Sequence, residues 1–475
     1  MKEKGFIKNI LTVVGGNGVY LLSNILLGFL LPMILDVADY GYYKIYTLYV
    51  GYCGLLNFGF PDGILFRYGG CDYNQLNKPL FRTYSRLFLG LQGVMTLLVV
   101  GIAAFLRGEY ALIIGFVGLN LIWYNVTLYY QYLSQATSRF KEFSLRKVLQ
   151  AVGTIVVLVV LLLGKRFGLF ARVSYVTFIL ILQVISVILL AWYVSTYREI
   201  TFGPAVGWRE ALPELKLIFR KGLMMTLAYE VAQLILLMDR QFVSVLFPVE
   251  TYAQYAFAYN ILSCVTALVT AVSTVMFPML KKLRQEDALQ KFEGTLALVS
   301  CLVGVCLVGV WPVEWLIGWL LPSYEGALTY VRILFPTLLF TSGISIVTFT
   351  YYKVLDRIRE YLFISLGTLA VSFALSCAAV YVWHVPEAVS WTSVAAMLVW
   401  YVAAIGNLGK GKTVKWLRSL VYTLLICAAF YAAQNLPFGK WGNAGIYLAA
   451  YCLISMLVFA GRWRTYLGGN RRQDR

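Results

Sequence analysis

Charged residues are scarce in this sequence. Asp, Glu, Lys and Arg make up 13% of the 475 residues, against about 25% in soluble domains, and 60% of the residues are hydrophobic. Histidine occurs once, and the eight cysteines include no Cys-x-x-Cys pair or other metal-ligand spacing. These shortages exclude a soluble globular protein and give no support to a metal centre. We expect a protein that is not an enzyme and needs no cofactor.

The hydrophobic residues occur in long blocks separated by short polar loops. A helix of about 20 apolar residues crosses a bilayer, and in lipid each segment must satisfy its own backbone hydrogen bonds. The sequence therefore predicts an all-α polytopic membrane protein with about 14 spanning helices. They lie near 10–35, 42–60, 84–106, 110–135, 148–164, 174–194, 222–247, 252–280, 295–321, 327–350, 361–382, 388–407, 419–436 and 443–461.

The net charge of +18 follows the loops rather than a nucleic-acid surface. With the N-terminus placed inside, 32 basic residues fall in or beside the inner loops and 6 in the outer ones. Cytoplasmic loops of membrane proteins carry this excess of Lys and Arg. We therefore predict a multi-pass protein of the bacterial cytoplasmic (inner) membrane with both termini in the cytoplasm, and no nucleic-acid partner.

An internal repeat divides the chain. Residues 39–43 (DYGYY) follow the first predicted helix, and residues 251–255 (TYAQY) follow the seventh, at an offset of 212. An offset of six helices keeps both copies in one orientation, as in transporters built from two related lobes. We predict two six-helix lobes, 1–200 and 201–408, followed by two additional helices and a basic cytoplasmic tail in 409–475.

Two stretches carry a family resemblance. Residues 31–69 (LPMILDVADYGYYKIYTLYVGYCGLLNFGFPDGILFRYG) and 238–262 (MDRQFVSVLFPVETYAQYAFAYNIL) resemble bacterial oligosaccharide flippases of the multidrug/oligosaccharidyl-lipid/polysaccharide exporter superfamily. The resemblance implies a central cavity, alternating access and surface polysaccharide biosynthesis. The implied partners are membrane lipids and a polyisoprenyl-pyrophosphate-linked oligosaccharide, carried to the outer leaflet. The alternative is an ion-coupled multidrug or small-molecule antiporter of the same superfamily.

The seventh predicted helix contains an acidic residue at mid-membrane. An ionisable side chain at that depth is costly and is retained where it faces water, protein or a partner charge. Glu230 is therefore our candidate for coupling to a proton or a sodium ion. A neutral carboxyl group hydrogen-bonded to a neighbouring helix would give the same pattern.

Five further charges share one depth near the outer surface. We predict that they form a gate that closes the outer side; they are Lys44, Asp239, Arg240, Glu314 and Arg332. Structural ion pairs, or side chains reaching up to the outer interface, are the alternative interpretation.

Basic residues also mark the inner ends of the second and eighth predicted helices. Arg67, Lys281 and Lys282 lie at equivalent places under the repeat offset, and helix 1 offers Asn24 as a polar residue. We predict these four as substrate-binding residues, because a pyrophosphate entering from the inner leaflet would meet positive charge there. Ordinary positive-inside anchors would show the same pattern.

Overall fold

The computed structural model describes residues 2–169, 172–281, 285–409 and 416–468. The chain divides into two compact units, 1–256 and 257–475. Among the described residues the secondary structure is helical, without strands. The all-α prediction is therefore confirmed, whereas the predicted lobes 1–200 and 201–408 remain a prediction.

The first unit holds nine helices and the start of a tenth among its described residues. They are α1 (Lys2–Ile34), α2 (Val37–Val50), α3 (Phe60–Tyr68), α4 (Lys78–Ala103), α5 (Glu109–Ala136), α6 (Phe140–Arg166), α7 (Tyr175–Thr196), α8 (Arg198–Thr201), α9 (Trp208–Leu246) and α10 (Val249–Lys281). Polar side chains begin two of them: Asn77 accepts a hydrogen bond from Leu80 N at α4, and Ser174 accepts one from Val176 N at α7. Such caps satisfy amides that have no partner inside the helix.

The second unit holds the rest of α10 and the C-terminal helices. Its described helices continue as α11 (Gln285–Cys306), α12 (Val310–Leu320), α13 (Ala327–Leu334), α14 (Thr337–Ser342), α15 (Phe349–Val354), α16 (Ile358–Trp383), α17 (Pro386–Leu408), α18 (Trp416–Gln434) and α19 (Gly439–Gly468). A π-helical turn, Gly343–Thr348, joins α14 to α15.

Each of the fourteen predicted spans falls on one helix or on consecutive helices. Ten described helices are long and apolar enough to cross a membrane, and the bent pair Ala327–Leu334 with Thr337–Val354 makes an eleventh. That pair bends by 52° where Pro336 interrupts the helix, as proline does because it lacks an N–H group. Large apolar side chains such as Leu97 and Ile188 are exposed on the long helices, which suits a surface that faces lipid.

The second predicted span, 42–60, is broken rather than continuous. The 3₁₀ turn Cys53–Asn57 separates α2 from α3, and Phe58 and Gly59 adopt left-handed φ angles of 52° and 77°. Side chains from α4 and α5 satisfy the carbonyls that this break exposes. Asn125 Nδ2 donates to Cys53 O at 3.1 Å, and Gln92 Nε2 donates to Leu56 O at 3.1 Å. The break is therefore stabilised by tertiary contacts.

Candidate functional site: an acidic pair beside a polar cavity

Helix α9 packs very closely on α3 because glycines meet there. A Cβ atom on Gly222 would lie 1.9 Å from Gly59 O and 2.6 Å from Gly63 N. Only a residue without a side chain fits such an approach, and the positive φ of Gly59 also favours glycine. This contact fixes the side chains of α9 that follow Gly222 against the break between α2 and α3.

Two carboxylates lie near this break. Thr226 Oγ1 donates to Asp62 Oδ2 at 2.6 Å, and Glu230 lies one helical turn further along the same face of α9. A Cβ atom on Gly54 would lie 2.1 Å from Glu230 Oε1, so the carboxylate of Glu230 rests against the backbone of the break. Asp62 and Glu230 interact electrostatically. The predicted coupling residue thus has a second acid beside it, which the sequence analysis did not select.

Tyrosines surround the two acids. Tyr132 interacts electrostatically with both carboxylates. Tyr124, about two turns earlier on α5, interacts with Glu230. Tyr229, next to Glu230 on α9, interacts with both acids as well. Phenol groups are hydrogen-bond donors and acceptors, so this environment can accommodate either charge state of a carboxyl group.

Tyr124 also lines a cavity inside the first unit. The cavity has a volume of about 200 Å³ and lies among α1, α5, α6 and α7. Its wall is mostly polar and aromatic; the lining residues are Tyr20, Asn120, Trp123, Tyr124, Thr127, Leu128, Gln131, Lys147, Gln150, Ser186 and Leu189. The cavity and the acidic pair therefore share one side chain.

One cation belongs to the cavity wall. Lys147 projects from α6, and its Nζ lies 4.9 Å from the ring centroid of Tyr20 and 5.2 Å from that of Phe143. Among the described residues the cavity wall contains no acidic side chain. The only charged side chain of the described wall is thus positive, whereas Glu230, with which Tyr124 interacts electrostatically, is acidic.

Of the predicted substrate-binding residues, Arg67 is the best defined. It is half-exposed at the end of α3 and forms two hydrogen bonds with Glu214 of α9, at 3.1 and 3.2 Å. Asn24 is exposed on α1, and its neighbour Ser23 donates to Ala151 O on α6 at 3.2 Å. The side chain of Lys281 and all of Lys282 lie outside the described residues.

Three of the predicted gate residues lie in the first unit. Asp239 is buried and accepts a hydrogen bond from Tyr255 Oη at 2.7 Å. Arg240 Nη2 donates to Leu236 O at 2.7 Å on its own helix. The Nζ atom of Lys44 lies 5.4 Å from the ring centroid of Tyr40. Each of the three is thus held by neighbours within this unit.

The backbone of the same region is closely packed. A Cβ atom on Gly41 would lie 2.6 Å from Val249 O, so α2 contacts the start of α10. Tyr252 Oη donates to Lys44 O at 3.4 Å beside it. The two copies of the sequence repeat, 39–43 and 251–255, are therefore neighbours at this point.

The other two predicted gate residues form an ion pair in the second unit. Arg332 donates to both carboxylate oxygens of Glu314, Nε to Oε1 at 2.7 Å and Nη2 to Oε2 at 3.0 Å. Glu314 is 2% exposed, whereas the side chain of Arg332 is 48% exposed. The depth assigned from the sequence is compatible with this pairing, and their role in a gate remains a prediction.

The cavity was not predicted from the sequence, although a signal for it was present. Asn120, Tyr124, Thr127 and Gln131 recur on α5 at intervals of four, three and four residues. This spacing places them on one face of a helix. A polar stripe of this kind within an apolar span indicates a surface that faces protein or water rather than lipid. Asp62 was missed because it follows the predicted end of the second span.

Comparison with solved structures identifies the class of fold. A structure described as the lipid II flippase MurJ in an inward closed conformation has a TM-score of 0.69 at 11% identity, covering 96% of this chain and 100% of that one. An inward-facing multidrug resistance MATE transporter of the MOP superfamily has a TM-score of 0.58 at 15% identity, covering 87% and 95%. A MOP superfamily transporter from Pyrococcus furiosus has a TM-score of 0.54 at 14% identity, covering 89% and 95%.

The fold is thus that of all-helical membrane transporters of the kind represented by MurJ and MATE proteins. No family model matches the sequence, and no curated protein is similar enough to match. At identities of 11 to 15% the likeness establishes the fold of a multi-pass membrane transporter.

Proposed function

We propose that this protein is a flippase that moves a polyisoprenyl-pyrophosphate-linked oligosaccharide from the cytoplasmic to the outer leaflet by alternating access. The extent of the match to the lipid II flippase carries this proposal. That structure has a TM-score of 0.69 over 96% of this chain. Two multidrug transporter structures have TM-scores of 0.58 and 0.57 over 87% and 90% of it.

The charges of the first unit support an anionic substrate. Lys147 is the cation of the cavity wall, and Arg67 lies at the end of α3 with half of its side chain exposed. In this proposal Arg67, Lys281 and Lys282 attract the pyrophosphate at the inner side, and Asn24 contacts the sugar or phosphate from α1. Charges at the edge of a low-dielectric region interact more strongly than charges in water.

Reconstitution tests the proposal directly. Purified protein in vesicles that contain a fluorescent polyisoprenyl-pyrophosphate oligosaccharide should expose the sugar on the opposite leaflet, where a reducing quencher or a lectin detects it. Replacing Arg67, Lys281 and Lys282 together with Gln should slow the transfer without changing membrane insertion. Transfer equal to that in protein-free vesicles would refute the flippase proposal, and transfer unaffected by the triple replacement would remove the role of these cations.

A second candidate, an ion-coupled small-molecule antiporter, is favoured by the acidic pair. Asp62 and Glu230 interact across α3 and α9, and paired acids suit the binding of a cation better than that of a pyrophosphate. Uptake of a cationic dye into the same vesicles, driven by a proton or sodium gradient, separates the two functions. Dye transport without lipid transfer would establish the antiporter.

Within either function we propose that Glu230 couples transport to a proton or a sodium ion. The Glu230→Gln variant should lose gradient-driven uphill transport while downhill exchange continues, because a neutral amide cannot change its charge. Asp62→Asn is the matched variant, since it removes the neighbouring charge and leaves Glu230 in place. Unchanged dependence on both gradients in Glu230→Gln would end this assignment.

We also propose that the protein resides in a bacterial cytoplasmic membrane with both termini in the cytoplasm. The excess of basic residues in alternate loops supports this orientation. Reporter domains fused to either end should both be active on the cytoplasmic side. Activity of either reporter on the outer side would contradict the proposed cytoplasmic location of that terminus.

A further inference from the structure

The cavity of the first unit contains polar groups that the protein itself leaves without partners. Among the described residues, the side-chain amides of Asn120, Gln131 and Gln150 have no hydrogen-bond partner, although all three line the cavity. Asn120 is only 8% exposed. Gln131 and Gln150 are half-buried, so all three amides are available to a ligand in the cavity. Three unpaired amides facing one space indicate that a polar ligand or water satisfies them.

The chemistry of the wall restricts the ligand. The amides supply both donors and acceptors, Tyr20 and Trp123 supply aromatic surface, and Lys147 supplies one positive charge. The absence of an acid among the lining residues argues against a cationic ligand. A ligand with many hydroxyl groups, an apolar ring face and one negative group would use every one of these features.

The size of the cavity restricts the ligand further. Its volume of about 200 Å³ is below the roughly 300–1,000 Å³ of sites that enclose drug-sized molecules. An oligosaccharide does not fit into this space. Its size suits a single sugar ring with one attached acidic group.

We propose that this cavity binds one sugar residue through its ring hydroxyls and the phosphate ester it bears. Lys147 pairs with the phosphate, the amides of α5 and α6 bind the hydroxyls, and Trp123 packs against the ring. The site rests on the proposed function, in which that residue is the first sugar of the lipid-linked substrate. A phospholipid with a polyol phosphate headgroup presents the same chemistry and is the other possible source.

Binding measured on the purified protein tests the site. Isothermal titration should detect binding of glucose 1-phosphate, galactose 1-phosphate or N-acetylglucosamine 1-phosphate. Free sugars and inorganic phosphate should bind with much lower affinity. Lys147→Gln should weaken binding about tenfold or more, since it removes a charge-assisted hydrogen bond. Lys147→Arg keeps the positive charge and should retain binding, which would show that the fold tolerates a substitution at this position.

The chain offers a matched control. Lys141 lies on the same helix as Lys147, is exposed and is not part of the cavity wall. Lys141→Gln removes the same charge and should leave binding unchanged. Failure of all three sugar phosphates to bind, or equal weakening by Lys141→Gln and Lys147→Gln, would overturn the proposal.

Two further arms separate the sources of the ligand and the two levels of the proposal. Nanodiscs containing phosphatidylinositol that compete with the sugar phosphate would identify a headgroup as the ligand, whereas competition by a lipid-linked sugar alone would identify the substrate. Lipid transfer in vesicles without sugar-phosphate binding would refute the site and retain the flippase. Binding without lipid transfer would retain the site and refute the flippase.

Discussion

The ion pair between Arg332 and Glu314 allows a structural role to be separated from a gating role. In the Arg332→Gln variant, the carboxylate of Glu314 loses both of its guanidinium hydrogen bonds while remaining 2% exposed. Removing one partner of a buried pair costs about 3–5 kcal/mol, because an uncompensated charge stays buried. Half of the Arg332 side chain is exposed, so we expect the lower end, about 3 kcal/mol. For a unit of about 220 residues this corresponds to a fall in Tm of roughly 6–12 °C.

Thermal unfolding in detergent measures this loss, and a double variant provides its control. Glu314→Gln combined with Arg332→Gln leaves no buried charge, so it should be more stable than Arg332→Gln alone. Such non-additivity is the signature of two residues that interact directly. A double variant that is less stable than the single one would contradict the reasoning.

Labelling of a cysteine introduced at Asn24 tests the gating role of the same pair. If the pair serves only to stabilise the second unit, outside labelling of Asn24→Cys stays the same when Arg332→Gln is added. If these charges close the outer side, as proposed from their depth, labelling rises in Arg332→Gln and also in Asp239→Asn. Increased labelling together with unchanged stability would refute the structural interpretation and leave the gate.

Three shorter predictions concern the first unit. Gly41→Leu should separate α2 from α10, because its Cβ atom alone would lie 2.6 Å from a carbonyl oxygen. Overpacking of this kind lowers the free energy of unfolding by about 1–3 kcal/mol. Gly41→Ala should lower the Tm less than Gly41→Leu does. Glu214→Gln should raise the affinity of the inner side for anions by releasing Arg67, whereas Arg67→Gln should lower it. The hydrogen bond from Lys78, 2.5 Å away, holds the pKa of Glu199 below its usual value of 4.5. The contact between α4 and α8 should therefore be complete above pH 4.5 and weaken as the pH falls below it. Hydrogen exchange at different pH values measures this change, with Glu199→Gln as the control.

The helices were predictable because their signal is local. A run of about 20 apolar residues suffices to predict a span, and all fourteen predicted spans fall on helices. The break between α2 and α3 was not predictable in this way, because nothing within 42–60 requires it. It depends on Gln92 and Asn125, which lie on α4 and α5 and hydrogen-bond to the exposed carbonyls. A side chain that far along the chain cannot be assigned to the break from hydropathy.

The functional residues, like the helices, were predictable only where their signal is local in the sequence. Glu230 stood out because a carboxylate inside an apolar span is costly, and that argument needs no partner. Its neighbour Asp62 lay beyond the predicted span, and it is the packing of α3 on α9, with Gly222 against Gly59, that brings it near Glu230. The polar stripe on α5 was visible as a spacing, but its cation, Lys147, appeared in the sequence as one more basic residue of an inner loop.

The shared position of Tyr124 connects the two halves of the proposed mechanism. Its side chain lines the cavity and also interacts electrostatically with Glu230, so a ligand that contacts Tyr124 alters the surroundings of the acid. Linkage is reciprocal: if the charge state of Glu230 changes the affinity for the ligand, then the ligand changes the charge state of Glu230 by the same factor. An anionic ligand held by Lys147 and a charged Glu230 would repel each other, and protonation of Glu230 would remove that repulsion. Binding of a phosphate-bearing sugar and uptake of a proton by Glu230 would therefore favour each other.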